Sequence, residues 1–411
     1  MPTADTSSSS SAAPSAPVPS TPYLPVPVSA KRVLQLLSRL QSGCLKLQLP
    51  DGSRQEFGAP ASPLQVRVSL SDWGVFAAVL KSGDIGFAET YRDGGWSTDD
   101  LAGLLRLFLL NRQALDEVIY GNWLGRLVYR IKHLLKRNTR GNSRKNIHAH
   151  YDLGNAFYRL WLDDSMVYSA AWFEGQLQGD LQQAQLAKVR RSLRMSGVEP
   201  GHRVLEIGCG WGALAQMAVN EFQARLVGLT LSTEQFQWAQ DANPKAEIRM
   251  QDYRDVNDGP FDAVLSIEML EAVGQEYWAT YFESVSRLLK PSGRACIQTI
   301  VIADHLFERY ISSTDFIQQY IFPGGCLPCP RALRQHATQA GLKVVDEFAF
   351  GPDYAETLRR WRQQFLASRE QVVQLGFDEP FIRLWEFYLA YCEAAFDEGS
   401  TNVMQFTLQK A

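Results

Sequence analysis

Residues 203–217 read RVLEIGCGWGALAQM, an apolar run that leads through three glycines into an apolar helix. Gly208, Gly210 and Gly212 permit a tight strand-to-helix turn and a close approach of a ligand to the backbone. Their spacing is GxGxG rather than the GxGxxG that seats a pyrophosphate, and Glu206 precedes them. A carboxylate there would repel phosphate and suit a cationic amino-acid group. The stretch therefore favours S-adenosylmethionine (SAM) over NAD, and a purely structural turn is the alternative.

Strand-like and helical runs alternate on both sides of this turn, which predicts a parallel, doubly wound α/β sheet. The second strand ends in Gly228-Leu229-Thr230 without the acid that usually binds a ribose, so Thr230 and Gln235 would have to supply those hydrogen bonds. A long helical stretch rich in aromatic residues spans 354–397. The predicted strands cover residues 203–207, 224–231, 247–253, 262–268, 294–302, 343–350 and 402–409.

The segments before the sheet differ from it in composition. Residues 1–28 are Ser, Ala, Pro and Thr with almost no charge, which predicts a disordered tail. Residues 29–118 mix helical and alternating apolar patterns and predict a small domain. Residues 119–146 form a basic segment whose first half predicts an amphipathic helix, either packed on the core or lying on a membrane surface. Residues 147–411 form the main domain.

The overall composition limits which binding partners and which cellular compartment fit the sequence. The 41 basic and 44 acidic residues nearly cancel, so overall charge does not indicate a nucleic-acid partner. Six scattered cysteines do not resemble a disulfide framework and fit a reducing cytosol. Cys326 and Cys329 form a lone CxxC, so we expect no metal site. No apolar run approaches the ~20 residues needed to cross a bilayer, so we expect only peripheral contact with the inner membrane face.

Three segments together closely resemble the cyclopropane fatty acid synthases, including the mycolic acid cyclopropane synthases. They are NIHAHYDLGNAFYRLWLDDSMVYSAAWF at 146–173, VLEIGCGWGALA with GLTLSTEQ within 204–235, and FIQQYIFPGGCLP at 316–328. SGDIGFAETYRDGGW at 82–96 also looks like the small leading domain of the bacterial enzymes. The resemblance covers nearly everything after about residue 30.

The resemblance implies a seven-stranded, Rossmann-like SAM-dependent methyltransferase domain with a small N-terminal α+β domain. It implies methylation of the cis double bond of unsaturated phospholipid acyl chains, most directly with closure to a cyclopropane ring. The small domain would serve lipid docking or dimerisation, and a homodimer is left open. Matching positions for the cofactor are Tyr168, Ser169, Glu206, Gly208, Gly210, Gly212, Thr230, Leu231, Gln235, Asp252 and Tyr253.

In this family the proton acceptor is a bound bicarbonate, held by protein donors and a carboxylate. Glu271 matches that carboxylate and Tyr354 matches a tyrosine donor. Cys392 matches a cysteine assigned as functional, although a buried cysteine is more often a small core residue. His150, in the HYDL segment, would lie close to the reacting centre, with a structural role as the alternative.

Three positions depart from the family pattern. Gln298 replaces a histidine, Ala170 replaces a cysteine, and Ala272 replaces a histidine after Glu271. Because Gln298 can donate a hydrogen bond but carries no positive charge, it should hold an anion less firmly. Ring closure and bicarbonate are therefore left open. The alternatives are a methyl- or methylene-branched product and a non-catalytic protein that binds SAM or lipid.

Overall fold

A computed structural model describes residues 26–115 and 153–410 of the chain. Of the segment predicted as a tail, residues 26–28 are described, and the first helix begins at Val28. The predicted basic segment 119–146 and His150 lie outside the described residues. Within the described ranges, no helix has the length and apolar character to cross a membrane.

The small N-terminal domain is a four-stranded sheet with helices, as the mixed pattern predicts. The strand order is β2-β1-β3-β4, in which β1 and β3 are parallel and the other pairs antiparallel. Its strands are β1 (Cys44–Gln48), β2 (Arg54–Gly58), β3 (Gln65–Leu70) and β4 (Trp96–Thr98). Its helices are α1 (Val28–Leu37), α2 (Gly74–Ser82), α3 (Asp84–Arg92) and α4 (Leu101–Leu110).

The main domain contains a seven-stranded sheet of order β10-β11-β9-β8-β5-β6-β7. The five strands from β5 to β9 run parallel, and β11 is antiparallel to both of its neighbours. The predicted doubly wound sheet is therefore confirmed. Its strands are β5 (Arg203–Ile207), β6 (Arg225–Thr230), β7 (Glu247–Met250), β8 (Phe261–Ile267), β9 (Leu289–Ile302), β10 (Leu342–Ala349) and β11 (Thr401–Lys410).

Helices connect these strands, and a helical insert separates β10 from β11. Two helices precede β5, α5 (Asn155–Tyr158) and α6 (Leu181–Met195). The connecting helices are α7 (Ala213–Asn220), α8 (Thr233–Ala242), α9 (Trp278–Leu288), α10 (Phe307–Ile311) and α11 (Pro330–Gln339). The insert is broken into α12 (Gly351–Ala367), α13 (Arg369–Gln374) and α14 (Glu379–Asp397). A single-turn π-helix spans Ile317–Ile321.

The two domains share one hydrophobic core, because α14 packs against both α3 and α4 of the small domain. Polar contacts reinforce this interface. The Tyr91 hydroxyl donates to Glu386 at 2.8 Å, and the Arg383 guanidinium donates to the backbone oxygens of Tyr91 and Trp96. The insert therefore connects the small domain to the sheet, and residues of both domains can line the same cavity.

Candidate active site

The glycine turn lies at the point where the sheet reverses its strand order. Strand β5 stands between β6 and β8, and such a switch point is the usual ligand site of an open α/β sheet. Gly208, Gly210 and Gly212 have φ of 84°, 50° and 91°, a region that side-chain-bearing residues rarely adopt. A Cβ on Gly212 would also lie 2.4 Å from the Asn243 amide nitrogen. Backbone conformation therefore favours glycine at all three positions, and limited space also disfavours a side chain at Gly212.

A cavity of about 190 Å³ lies against this turn, and we call it the glycine-turn cavity. Ten of the eleven positions expected to bind the cofactor line it. The exception is Gly212, which does not line the cavity and instead precedes the first residue of α7. The ten are Tyr168, Ser169, Glu206, Gly208, Gly210, Thr230, Leu231, Gln235, Asp252 and Tyr253.

Glu206 and Lys188 form the electrostatic centre of this cavity. Both are buried, and burial raises the pKa of Glu206 to about 8 and lowers the pKa of Lys188 to about 8. The Lys188 ammonium donates to the Ser169 hydroxyl. Glu206 Oε2 has no hydrogen-bond partner within the described ranges. A buried carboxylate oxygen without a partner costs free energy, and a cationic ligand would relieve that cost, so this site fits SAM.

Two further pairs shape the walls of the glycine-turn cavity. The Thr230 hydroxyl donates to the Gln235 side-chain oxygen at 3.0 Å. Asp252 accepts hydrogen bonds from the backbone and guanidinium of Arg254. These residues therefore form pre-oriented polar walls, as a site for a nucleoside requires.

A second cavity of about 350 Å³, which we call the apolar cavity, extends from the sheet into the small domain. Leu45, Val68 and Leu104 line it from the small domain, and Phe322 and Tyr388 line it from the main domain. Four aromatic residues, Tyr310, Phe322, Tyr388 and Tyr391, also line this cavity.

The two cavities meet at residues that line both of them. These are Tyr168, Glu268 and Ala272. The hydroxyls of Tyr168 and Tyr388 are 2.6 Å apart at this junction. A group bound at the glycine turn would therefore face an apolar chain in the second cavity.

Of the described residues that were expected to be catalytic, some line the apolar cavity and one does not. Glu271, Tyr354 and Cys392 line the apolar cavity, and Tyr354 donates a hydrogen bond to the junction residue Glu268. Burial raises the pKa of the Cys392 thiol, so the group is a neutral thiol rather than a thiolate nucleophile. Gln298 is fully buried and lines neither cavity, because it lies behind Glu268 and donates to its carboxylate at 2.8 Å.

Two charged residues of the site were missed in the sequence. Glu268 stands three positions before Glu271, where the strand β8 has just ended, and was assigned only to that strand. Two glutamates that follow a buried strand at this spacing were a usable signal. Lys188 lies on the helix α6 and gives no signal, because lysines are rarely fully buried.

Comparison with known proteins agrees with this geometry. Residues 138–406 match the family model described as mycolic acid cyclopropane synthetase. The chain is 37% identical over 379 residues to tuberculostearic acid methyltransferase UfaA1 of Mycobacterium tuberculosis, covering 89% of this chain and 87% of that one. It is 35% identical over 354 residues to cyclopropane-fatty-acyl-phospholipid synthase of Escherichia coli, covering 85% and 89%.

Among solved structures, mycolic acid cyclopropane synthase CmaA1 in complex with SAH and CTAB superposes with a TM-score of 0.61. That comparison has 33% identity and covers 65% of this chain and 98% of that chain. The predicted Rossmann-like fold and the predicted SAM-dependent methyltransferase class are confirmed. The chain belongs to the mycolic acid cyclopropane synthetase family.

Proposed function

We propose that the protein transfers the methyl carbon of SAM to the cis double bond of an unsaturated phospholipid acyl chain and closes a cyclopropane ring. The observation that carries this proposal is the junction of the two cavities at Tyr168, Glu268 and Ala272. One cavity offers a buried carboxylate to a cationic nucleotide, and the other offers an apolar wall to an alkyl chain. Their meeting brings the methyl donor and the alkene together.

SAM, when bound, supplies a methyl group made electrophilic by a sulfonium. Glu206 and the glycine turn would hold its amino-acid end, and Thr230 and Gln235 would hold the ribose. The apolar cavity would exclude water from the cation that forms on the alkene after methyl transfer. The rings of Tyr168 and Tyr388 lie at the junction, where aromatic faces can stabilise a cation by roughly 0.5 to 2 kcal/mol each.

A branched product is the second candidate, and two observations favour it. One of the relatives, at 37% identity over most of the chain, is named a methyltransferase of a fatty acid and not a cyclopropane synthase. The positions of two family histidines and one cysteine are Gln298, Ala272 and Ala170 in this chain. If a hydride first shifts from the methylated carbon to the cation, loss of a proton from the new methyl gives a methylene-branched chain, and if a separate reductant delivers a hydride to the cation, a methyl-branched chain forms.

The acyl substrate suggests where the protein works. A phospholipid acyl chain lies within a bilayer, so we propose that the protein binds the inner membrane surface peripherally and transiently. All six cysteines are unpaired, which supports a reducing, cytoplasmic compartment. Sedimentation with vesicles of anionic and neutral phospholipid would measure this association.

Incubation of the purified protein with SAM and dioleoyl phospholipid vesicles tests the function. We expect release of S-adenosylhomocysteine together with a lipid product that is heavier by one CH2. Mass alone does not separate a ring from a methylene branch, so proton NMR must supply the high-field cyclopropane signals. SAM binding without turnover on any unsaturated lipid would instead support the non-catalytic alternative.

A further inference from the structure

The carboxylate of Glu268 occupies the junction of the two cavities and accepts three hydrogen bonds. The backbone N–H of Ala170 and the side-chain amide of Gln298 donate to Oε1, each at 2.8 Å. The Tyr354 hydroxyl donates to Oε2 at 2.7 Å. Tyr354 and Gln298 are the donors that the family resemblance would assign to a bound bicarbonate. Since both already serve Glu268, these residues do not fit a separate anion.

A series of hydrogen bonds from Arg191 through Gln405 fixes the orientation of the Gln298 side-chain amide. The Arg191 guanidinium donates to the Gln405 side-chain oxygen at 2.7 Å, which leaves the Gln405 nitrogen to donate to the Gln298 oxygen at 3.0 Å. The Gln298 nitrogen must therefore point toward Glu268. Gln298, which replaces the family histidine, therefore helps to hold the Glu268 carboxylate in place.

The second carboxylate at the junction is held differently. Glu271 accepts a hydrogen bond from the Ile300 backbone N–H, and its Oε2 has no partner in the described part of the chain. Burial, together with the neighbouring Glu268, raises the pKa of Glu271 to about 8, so this group carries a proton near neutral pH. Burial raises the pKa of Glu268 too, but the charge of Lys188 and three hydrogen-bond donors oppose that effect. Because Glu271 is hydrogen-bonded at only one of its oxygens within the described residues, Glu268 is favoured as the ionised member of the pair.

The backbone at Glu268 is strained in a way that suits a placed functional group. Its φ is 48°, in the left-handed region, and its N–H donates to the Gln298 carbonyl oxygen at 2.8 Å. Such a conformation costs free energy and persists where the surroundings over-determine it. The strained bend directs the carboxylate into the junction rather than along the strand.

Building on the function proposed above, we propose that Glu268 is the proton acceptor of the reaction and that the enzyme works without bicarbonate. The alkene forms a carbon–carbon bond to the methyl group as the methyl–sulfur bond breaks and leaves its electron pair on sulfur. The neighbouring carbon becomes a cation. Glu268 then takes one proton from the new methyl group, and the released C–H electron pair closes the ring. If a hydride first shifts from the methylated carbon to the cation, loss of the same proton gives a methylene branch instead. Solvent later removes the proton from Glu268.

Glu268→Gln tests the base directly, because the amide keeps the size of the side chain and can still accept from Ala170 and Gln298. General-base catalysis is worth roughly 100- to 10,000-fold, so product formation should fall at least about 100-fold, with SAM affinity within about twofold of wild type. Glu271→Gln should cost less, because an amide resembles a protonated carboxyl. Glu283→Gln, on the exposed face of α9, is the matched control. Near-normal turnover by Glu268→Gln would overturn the proposal.

Bicarbonate provides the second test. Wild-type turnover should be unchanged in buffer stripped of carbon dioxide, and 13C-labelled bicarbonate should show no line broadening with the protein. Glu268→Gly would relieve the backbone strain and free the three donors, so added bicarbonate or formate should restore its turnover about tenfold or more. A wild-type enzyme that stops without bicarbonate would refute the role of Glu268, whereas a wild type inactive in every buffer would refute the proposed function instead.

Discussion

Glu206→Gln should weaken SAM binding by roughly 10- to 150-fold. Glu206 is buried in the glycine-turn cavity, and its Oε2 has no hydrogen-bond partner within the described residues. A hydrogen bond to a charged group contributes about 1.5–3 kcal/mol, and each 1.4 kcal/mol is a factor of ten in Kd. The glutamine keeps the volume of the side chain but loses its charge, so the change isolates the contribution of the carboxylate.

Isothermal titration calorimetry with SAM, at a pH above about 8 where the wild-type carboxylate ionises, measures this effect. Glu283→Gln serves as the control for the same chemical change at an exposed position. Circular dichroism checks that both variants fold. A Glu206→Gln protein that folds and binds SAM within about twofold of wild type would show that Glu206 does not hold the cofactor.

Three further outcomes are expected. The free energy of unfolding should fall as pH rises from about 5 to about 8, because folded Glu206 and Glu271, with pKa values raised from 4.5 to about 8, keep protons that the unfolded chain releases. Thermal melts across that range would measure this, and a rising Tm would contradict it. Val68→Phe should fill part of the apolar cavity and shift turnover toward shorter acyl chains at unchanged SAM affinity, as competition between lipids would reveal. Gly212→Ala should lower stability by about 1–3 kcal/mol in urea titrations, because its φ is 91° and its Cβ would clash with Asn243.

The strands of the large sheet were predictable because buried parallel strands give short apolar runs between helices. Most predicted boundaries lie within three residues of the observed ones, and β9 is the exception. It begins at Leu289 rather than 294 and includes Pro291 and Ser292, with a register shift opposite β8. A Pro-Ser-Gly sequence is typical of a loop, so local sequence could not reveal this extension.

The helical insert shows a signal that was present but not used. The predicted stretch 354–397 is interrupted before α14, whose first turn contains Pro380 and whose cap is Asp378. The Asp378 side chain accepts from the Phe381 N–H at 2.9 Å. An acid followed by proline two residues later is a helix-start pattern, so this break could have been predicted.

The cofactor side of the site was more predictable than the catalytic side. Glycine spacing and a neighbouring acid are local, and they indicate the glycine-turn cavity directly. The position of Glu268 between Ala170, Gln298 and Tyr354 depends on four segments far apart in the chain. Such a cluster forms only when the chain folds. The family pattern indicated Glu271, so the position of Glu268 in the site was not predicted.

Because the apolar cavity extends into the small domain, we expect the stability of that domain to depend on bound substrate. Leu45, Val68 and Leu104 belong to the shared hydrophobic core and also line this cavity, so their cavity side lacks contacts that a filled core would have. A molecule that binds only the folded state stabilises it by mass action. An alkyl tail lying there would complete the interior, and its departure would loosen the domain once in every catalytic cycle. Lipid supply would then govern the lifetime of the protein as well as its output.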